Sequence, residues 1–432
     1  MLYADDLVLL SKSEKGLQQE IDAVRKYCLK WDLEINLTKT KVVVFSHSNK
    51  LEEPDITYGS SRIESVHSYK YLGVLFQRNG NFSLAKSDLV KRGQKAIFKL
   101  TSCFKSAGPD YNTSMHIFDH VVKPILLYGS DVWGSERIKS TKSLYNLLMN
   151  DELEKCHLKF LRFSLGVSKK APKLAVYSET GRYPLILEAI LNSIKYLHRL
   201  INLTEDSNTL LGKAFEESKK LKSTKSWYRN LNDLLHQVGI PLNELGIHDI
   251  RRVTMEVQTF IRNSFVRSWK DELFRDSRSG DHGNKLRTFR TYKNTFAKED
   301  YLNVCQSKLH RQRLSALRLS SHKLQIEKDR YVSKNRLPPE LRLCKLCDRE
   351  ECEDEFHFVM KCPEYTSLRH DLFFMIEGMY PYFQTLDDGS KFIWLMANLD
   401  VHIIKIFAAF VSNCFSKRTL KINPGNGRTV VP

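Results

Sequence analysis

The sequence predicts a mainly α protein with a small α+β segment at its N-terminus and a small zinc-knuckle module near its other end. Three observations predict this. From about residue 84 onward, apolar residues recur almost everywhere at helical spacing. Residues 1–80 instead alternate short apolar runs with one helical stripe. Cys344, Cys347, Cys352 and Cys362 cluster, whereas the other cysteines of the nine are scattered.

At 432 residues and 42% hydrophobic, the chain has length for about two to four domains with real cores. Lys and Arg total 68 against 50 Asp and Glu, a net charge of +18, which points to a polyanionic partner. Nucleic acid is the first candidate and an anionic membrane the second. The stretch "VHIIKIFAAFVSNCF" is interrupted by Lys405 and is too short to span a bilayer, so no membrane is expected. No cleavable signal sequence is expected either. An odd cysteine count in a large chain makes a poor disulfide framework, which implies a reducing compartment, nucleus or cytoplasm.

The chain opens "MLYADDLVLLS". Asp5 and Asp6 followed by Leu7, Val8, Leu9 and Leu10 read as the tip of a tight hairpin whose second strand is buried on both faces and whose first strand is missing. Two carboxylates there repel each other unless divalent cations neutralise them and bridge a phosphoryl group; an ordinary Asp-rich turn has the same spacing. Strands at 6–11 and 41–46 flank a helix marked by Leu17, Ile21, Val24, Cys28 and Trp31, with Ser11 and Glu14 as a capping box. "SYKYLGVLF" reads as a short strand pair.

Helices are then expected at 84–105, 111–135, 141–165, 184–203, 226–238 and 249–274. Pro184 suits a first helical turn, and Gly166, Gly181 and Gly239 are stops. "RDSRSGDHGNK", residues 275–285, is the best internal boundary. A basic segment runs from Leu286 to about Leu343, followed by the cysteine module, an apolar helix near 391–415 and the polar tail "NPGNGRTVVP". The resulting domains are 1–80, 81–205, 206–285, 286–375 and 376–432.

"CKLCDREECEDEFHFVMKCPEY" carries the strongest spacing signal. Cys344, Cys347, His357 and Cys362 form a C-x2-C-x9-H-x4-C array, the donor set of a closed tetrahedral and therefore structural zinc site. Cys352 offers an alternative fourth ligand in place of Cys362. The set with Cys362 is favoured, because "FHFVMKCP" reads as a short helix from whose two ends His357 and Cys362 converge.

Upstream, "SKLHRQRLSALRLSSHKLQIEKDR" places Arg311, Arg318 and His322 on one helical face, with Leu309, Leu314 and Leu317 on the other. With Arg313, these arginines are expected to point outward to phosphates, and Phe289, Tyr292 and Phe296 to stack on bases of RNA or single-stranded DNA. His116 and His120 stand one turn apart without a third ligand and are read as ordinary helix residues.

"LYADDLVLLS", "INLTKTKVVVF" and "YKYLGVLF", in that order and spacing, resemble the closing motifs of the reverse transcriptase palm in non-LTR (LINE-type) retrotransposons. "ILLYGSDVWG", "ETGRYPL", "KLRTFRTYKNTF", "LRLSSHKLQIEKDRY" and "EDEFHFVMKCPEY" resemble the thumb and C-terminal regions of such elements, so the likeness runs from Leu2 to about Phe374. It implies that residues 1–80 are a palm remnant, that 81–205 are thumb-like and that 206–285 are a helical connection. It further implies that Asp5 and Asp6 bind magnesium for polymerisation, that Lys39 and Lys41 approach the incoming nucleotide's phosphates, and that Tyr71, Leu72 and Gly73 grip the primer. The thumb helices would lie along a template-primer duplex. In the family, the fingers and the aspartate bridging both metals precede the Tyr-Ala-Asp-Asp turn. The expectation is therefore a truncated retroelement product that binds nucleic acid without polymerising. Its alternatives are a fragment of an intact RNA-directed DNA polymerase acting in target-primed reverse transcription, and an inert pseudogene or interaction remnant.

Overall fold

A computed structural model describes residues 1–46, 53–137, 150–203, 209–221, 226–245, 249–278, 285–332 and 335–423. The chain divides into two units, Met1–Lys91 and Arg92–Pro432. Helices dominate, and the described strands pair only as two-stranded antiparallel ladders.

In the first unit, Leu2–Tyr3 pairs with Asp6–Leu7, so the hairpin has its first strand after all. Its second strand is not buried on both faces: Leu7 is 47% and Leu10 57% exposed. Of residues 41–46, Val42 alone makes a bridge, parallel to Ser65. Neither apolar run becomes a long strand, since no further described segment completes its ladder. The helix Glu14–Lys30 is capped by Ser13, whose Oγ accepts from Gly16 N, in place of the expected Ser11–Glu14 box. Glu14 instead accepts from Asp55 N at 2.8 Å. Ile21 on this helix packs with Val42, Ile56 and Ile63 into a small core. Gln18 clamps the neighbouring strand, donating to Thr57 O and accepting from Thr57 N, both at 2.9 Å.

The strand pair expected at "SYKYLGVLF" forms as Ser68–Tyr71 against Val74–Gln77. Leu72 and Gly73 both have positive φ, +45° and +80°, which makes the two-residue loop a type I′ turn whose twist matches the strands.

The helix Ser83–Ala107 begins in the first unit and ends in the second. The single helix expected over 111–135 is broken. Pro124 has no N–H to give His120, and Lys123 N bonds Phe118 O, so Tyr111–Ile117 passes into a π turn, Phe118–Val122. Lys123–Leu126 follows, Gly129 turns left-handed, and Ser130–Trp133 resumes. Gly134 then lies against the helix Leu185–Leu203 so closely that a Cβ would meet Ala189 O at 2.2 Å.

Of the helix expected at 141–165, residues 141–149 lie outside the described residues, and Glu152–Leu165 forms behind an Asp151 cap. Gly166, Gly181 and Gly239 are left-handed C-caps, as read from the sequence. Lys173–Thr180 and Leu210–Lys220 are helices that the sequence reading missed. Trp227–Val238 agrees within a residue, and Ile250–Arg278 runs four residues past its expected end. Most of the boundary at 275–285, and the tail from 424, fall outside the described residues.

The apolar helix near 391–415 is two helices, Asp388–Ala397 and Val401–Ile422, bent by 109°. Asp400 makes the break by accepting from His402 N and Ile403 N at 2.7 and 3.0 Å. Among the described residues no single helix is long and apolar enough to cross a membrane.

Gly181 allows a direct test of these caps. Its φ is +62°, and an added Cβ would lie 2.4 Å from Lys298 N, whereas at Gly239, φ +84°, it would meet nothing within 4 Å. Gly239→Ala should therefore cost only the left-handed strain of about 1–2 kcal/mol. Gly181→Ala should lower urea stability by clearly more, and equal losses would refute the close approach.

Candidate functional site

The cysteine module is built on a backbone knuckle. Leu343 bridges Cys352, Cys344 N donates to Glu351 O at 2.9 Å, and Glu353 N to Arg342 O at 3.0 Å. Cys344 and Cys347 sit on one side of this turn. The short π turn His357–Lys361 brings His357 and Cys362 up to them, with Cys362 N bonded to His357 O at 2.8 Å. The four ligand atoms of Cys344, Cys347, His357 and Cys362 all lie within 4.8 Å of one another. Cys352 is outside this group.

The histidine is oriented as a metal ligand requires. Its Nδ1 is 2.9 Å from Glu351 Oε2, leaving Nε2 toward the sulfurs, 3.5 Å from Cys347 Sγ. Hydrogen bonding from Cys362, with help from His357, holds the Cys344 thiol below its ordinary range, and the same contact pushes Cys362 up. Three sulfurs this close cannot all ionise without a cation between them. A Cys3His donor set fits zinc, which would supply structural cross-linking and no open coordination position.

The acidic stretch inside the module is not a solvated loop. Glu353 is buried against Arg418, with N–O distances of 2.7 and 2.6 Å, and accepts from Gln325 N. Glu355, also buried, takes both its oxygens to Arg287 and bonds Thr288, Ser320 and His322. Burial alone would raise the Glu355 carboxyl, yet Arg287 and His322 hold it well below the usual range. The knuckle is thereby tied to the start of the basic segment and to the last helix.

That basic segment turns its cations inward, which corrects the expected outward face. Arg311 is buried and donates to Cys305 O at 2.9 Å. Arg313 donates to Ser412 O and Ser416 Oγ and lies 6.0 Å from the Phe415 ring. Arg318 is buried between Glu179, at 2.5 and 3.3 Å, and Glu299, at 2.5 Å, against the rings of Tyr292 and Tyr301. The aromatic residues expected to stack on bases are interior too. Phe289 is fully buried, Tyr292 donates to Arg318 O, and Phe296 packs on Tyr183, Phe265 and Trp269. The reason is physical: the Glu179 and Glu299 carboxylates compensate Arg318, carbonyl and hydroxyl oxygens take Arg311 and Arg313, and helix periodicity cannot see these partners.

At the N-terminus, Ala4 (φ +52°) and Asp5 make the turn, Asp6 pairs with Tyr3, and both carboxylates are exposed. Lys39 is exposed, with its carbonyl accepting from Tyr69 OH; Lys41 is paired with Glu64 at 2.6 Å. Tyr71 is half-buried, and Leu72 and Gly73 form the tip of their hairpin. His116 and His120 lie with ring centroids 4.1 Å apart and planes tilted by 38°, and His120 Nδ1 bonds His116 O.

Sequence reading also did not single out the residues of an accessible basic face. On the helix Ser83–Ala107, Lys95, Lys99 and Lys105 are exposed on one side around Phe98, itself 74% exposed. The helix contains one acid, Asp88, and these three lysines have no ion-pair partner among the described residues. The signal was present at i, i+4 and i+10, in a stretch whose own residues were read for their apolar stripe and which only the resemblance placed along a template-primer duplex.

Residues 1–76 match the family described as reverse transcriptase (RNA-dependent DNA polymerase). Over 139 residues the chain is 29% identical to the RNA-directed DNA polymerase from mobile element jockey of Drosophila funebris, covering 31% of this chain and 15% of that protein. It is 28% identical over 149 residues to a putative uncharacterized transposon-derived protein of Caenorhabditis elegans, covering 32% of this chain and 52% of that protein. It is 26% identical over 153 residues to a probable RNA-directed DNA polymerase from transposon BS of Drosophila melanogaster, covering 33% and 16%. The chain thus spans about half or less of the curated relatives it matches. No solved structure matches it.

Proposed function

We infer, from a chain that is a reverse transcriptase-like part of a non-LTR retrotransposon protein, that it binds RNA, single-stranded DNA or a template-primer duplex. The observation that carries this reading is the unpaired basic face of Lys95, Lys99 and Lys105 with Phe98 at its centre. Lysines neutralise phosphates, and an exposed ring stacks on any base. The overall charge of +18 acts in the same direction by steering a polyanion to the surface.

Residues 1–80 would act as palm and 81–205 as thumb. Asp5 and Asp6 would hold magnesium, for which one or two exposed carboxylates are a suitable protein contribution, and bound magnesium would supply charge neutralisation at a phosphoryl group. The chain's own part there is to hold two carboxylates at a tight turn. The Leu72–Gly73 hairpin tip would touch the primer, with Lys39 and Lys41 near an incoming nucleotide. Zinc would hold the knuckle closed, and the protein would work in the nucleus or cytoplasm.

Filter binding to single-stranded RNA over a salt series tests the binding face. Log affinity should fall linearly with log salt, and each of Lys95→Ala and Lys99→Ala should make the slope shallower by about 0.7. Phe98→Ala should weaken binding by about 1–3 kcal/mol while leaving the slope unchanged. Slopes that do not respond to either lysine would overturn the assignment.

A further inference from the structure

The C-terminal helices carry a feature that nucleic-acid binding does not use. Tyr380, Tyr382 and Trp394 meet with their rings steeply inclined in all three pairs. The Tyr380–Tyr382, Tyr380–Trp394 and Tyr382–Trp394 centroids are 6.1, 5.6 and 6.2 Å apart, at 81°, 67° and 82°. Three rings inclined at 67–82° to one another form a corner, and Tyr382 is 51% exposed. The corner is fixed at its edges. Trp394 Nε1 donates to Tyr382 OH at 2.7 Å, and Tyr380 OH donates to Asp400 Oδ2 at 2.9 Å. Behind it, buried Phe383 packs on Trp394 at 5.1 Å.

Two further observations say what such a corner attracts. Lys391 already places its ammonium 5.4 and 5.5 Å from the Phe383 and Phe373 rings, so this aromatic cluster takes a cation on its inner side. The surroundings are acidic in a strongly basic chain: residues 376–400 contain Glu377, Asp387, Asp388 and Asp400 against the single base Lys391. Asp388 is paired with Lys361, but Glu377, Asp387 and Asp400 have no ion-pair partner among the described residues. Asp400 and Asp387 are held ionised by backbone N–H donors of the helices they cap.

We propose that Tyr380, Tyr382 and Trp394, with Asp400 at the rim, bind a methylated lysine side chain on a basic peptide. Ring faces attract a cation through their quadrupoles, and a methylated ammonium sheds water more readily than a bare one, so aromatic corners favour it. The carboxylates decide the source of that cation. Neighbouring lysines of a basic peptide would meet Glu377 and Asp387 favourably, whereas the phosphate of a choline headgroup would be repelled by them.

The experiment uses the full chain, nuclease-treated, and a fluorescent lysine-rich peptide carrying one trimethyl-lysine. Two companions carry either lysine or the neutral tert-butyl isostere of trimethyl-lysine at that position. By anisotropy, the trimethylated peptide should bind at least about fivefold tighter than the isostere, in line with a cation–π term of about 1 kcal/mol or more. Tyr382→Ala should remove that preference, and Asp400→Asn, which retains a capping side chain, should reduce it. Circular dichroism of both variants establishes that they fold; if Tyr382→Ala does not, Tyr382→Leu, which keeps the bulk without the π face, takes its place. Equal binding of trimethylated and isosteric peptides, no binding at low salt, or a preference that survives loss of the Tyr382 ring would each overturn the proposal. Competition by phosphocholine vesicles as strong as by the peptide would reassign the corner to lipid headgroups and equally overturn it.

Discussion

Serine at Cys344, Cys347 or Cys362, or alanine at His357, should abolish stoichiometric zinc binding, while Cys352→Ser should retain one ion per chain. The expectation rests on the gathering of four ligand atoms within 4.8 Å, with Cys352 excluded, and on the Glu351 contact that leaves His357 Nε2 toward the sulfurs. Structural zinc in comparable small modules is worth about 10–16 kcal/mol of apparent binding free energy, most of it expressed as folding. The loss should therefore reach beyond the metal. Glu353 and Glu355 lie between the ligands in sequence and hold buried Arg418 and half-buried Arg287, so an unclosed knuckle releases both cations. Limited proteolysis should then cut near the helix Val401–Ile422 in the ligand variants and in chelator-treated protein, but not in Cys352→Ser. Metal analysis showing zinc lost in Cys352→Ser and kept in Cys362→Ser would replace this ligand set with the alternative one.

Local chemistry was legible in the sequence to the extent that a single element determines it. The type I′ turn at Leu72–Gly73, the glycine caps at 166, 181 and 239 and the convergence of His357 with Cys362 depend on a few neighbouring residues, and all could be read. The break within 111–135 was also local, since Pro124 announces it, but strong apolar periodicity on both sides masked it. Strand extent was not legible, because a ladder depends on a partner that the strand's own residues do not specify. Least legible was the destination of charge. Arg318 and Glu179 are separated by 139 positions, and nothing in "LSALRLSSH" distinguishes an arginine facing phosphate from one facing a buried carboxylate.

That last difference is measurable. Arg318→Ala should cost about 3–5 kcal/mol of urea stability, because it leaves Glu179 buried without its cation, whereas Glu299 keeps Lys293. Burial pushes the Glu179 carboxyl up even with Arg318 beside it, so once the guanidinium is gone the carboxyl takes up a proton in the folded state, and the energy of that protonation is part of the loss. Arg318→Lys should recover only part of the loss, since an ammonium cannot span Glu179, Glu299 and the Met396 carbonyl with one planar fork. Where the variant remains folded, its RNA affinity should keep the wild-type salt slope, in contrast to Lys95→Ala and Lys99→Ala. A shallower slope in a variant of undiminished stability would return Arg318 to a phosphate-binding role. The two outcomes separate cleanly, because a contact to solvent-facing phosphate adds counterion release but little folding energy, and a buried ion pair does the reverse.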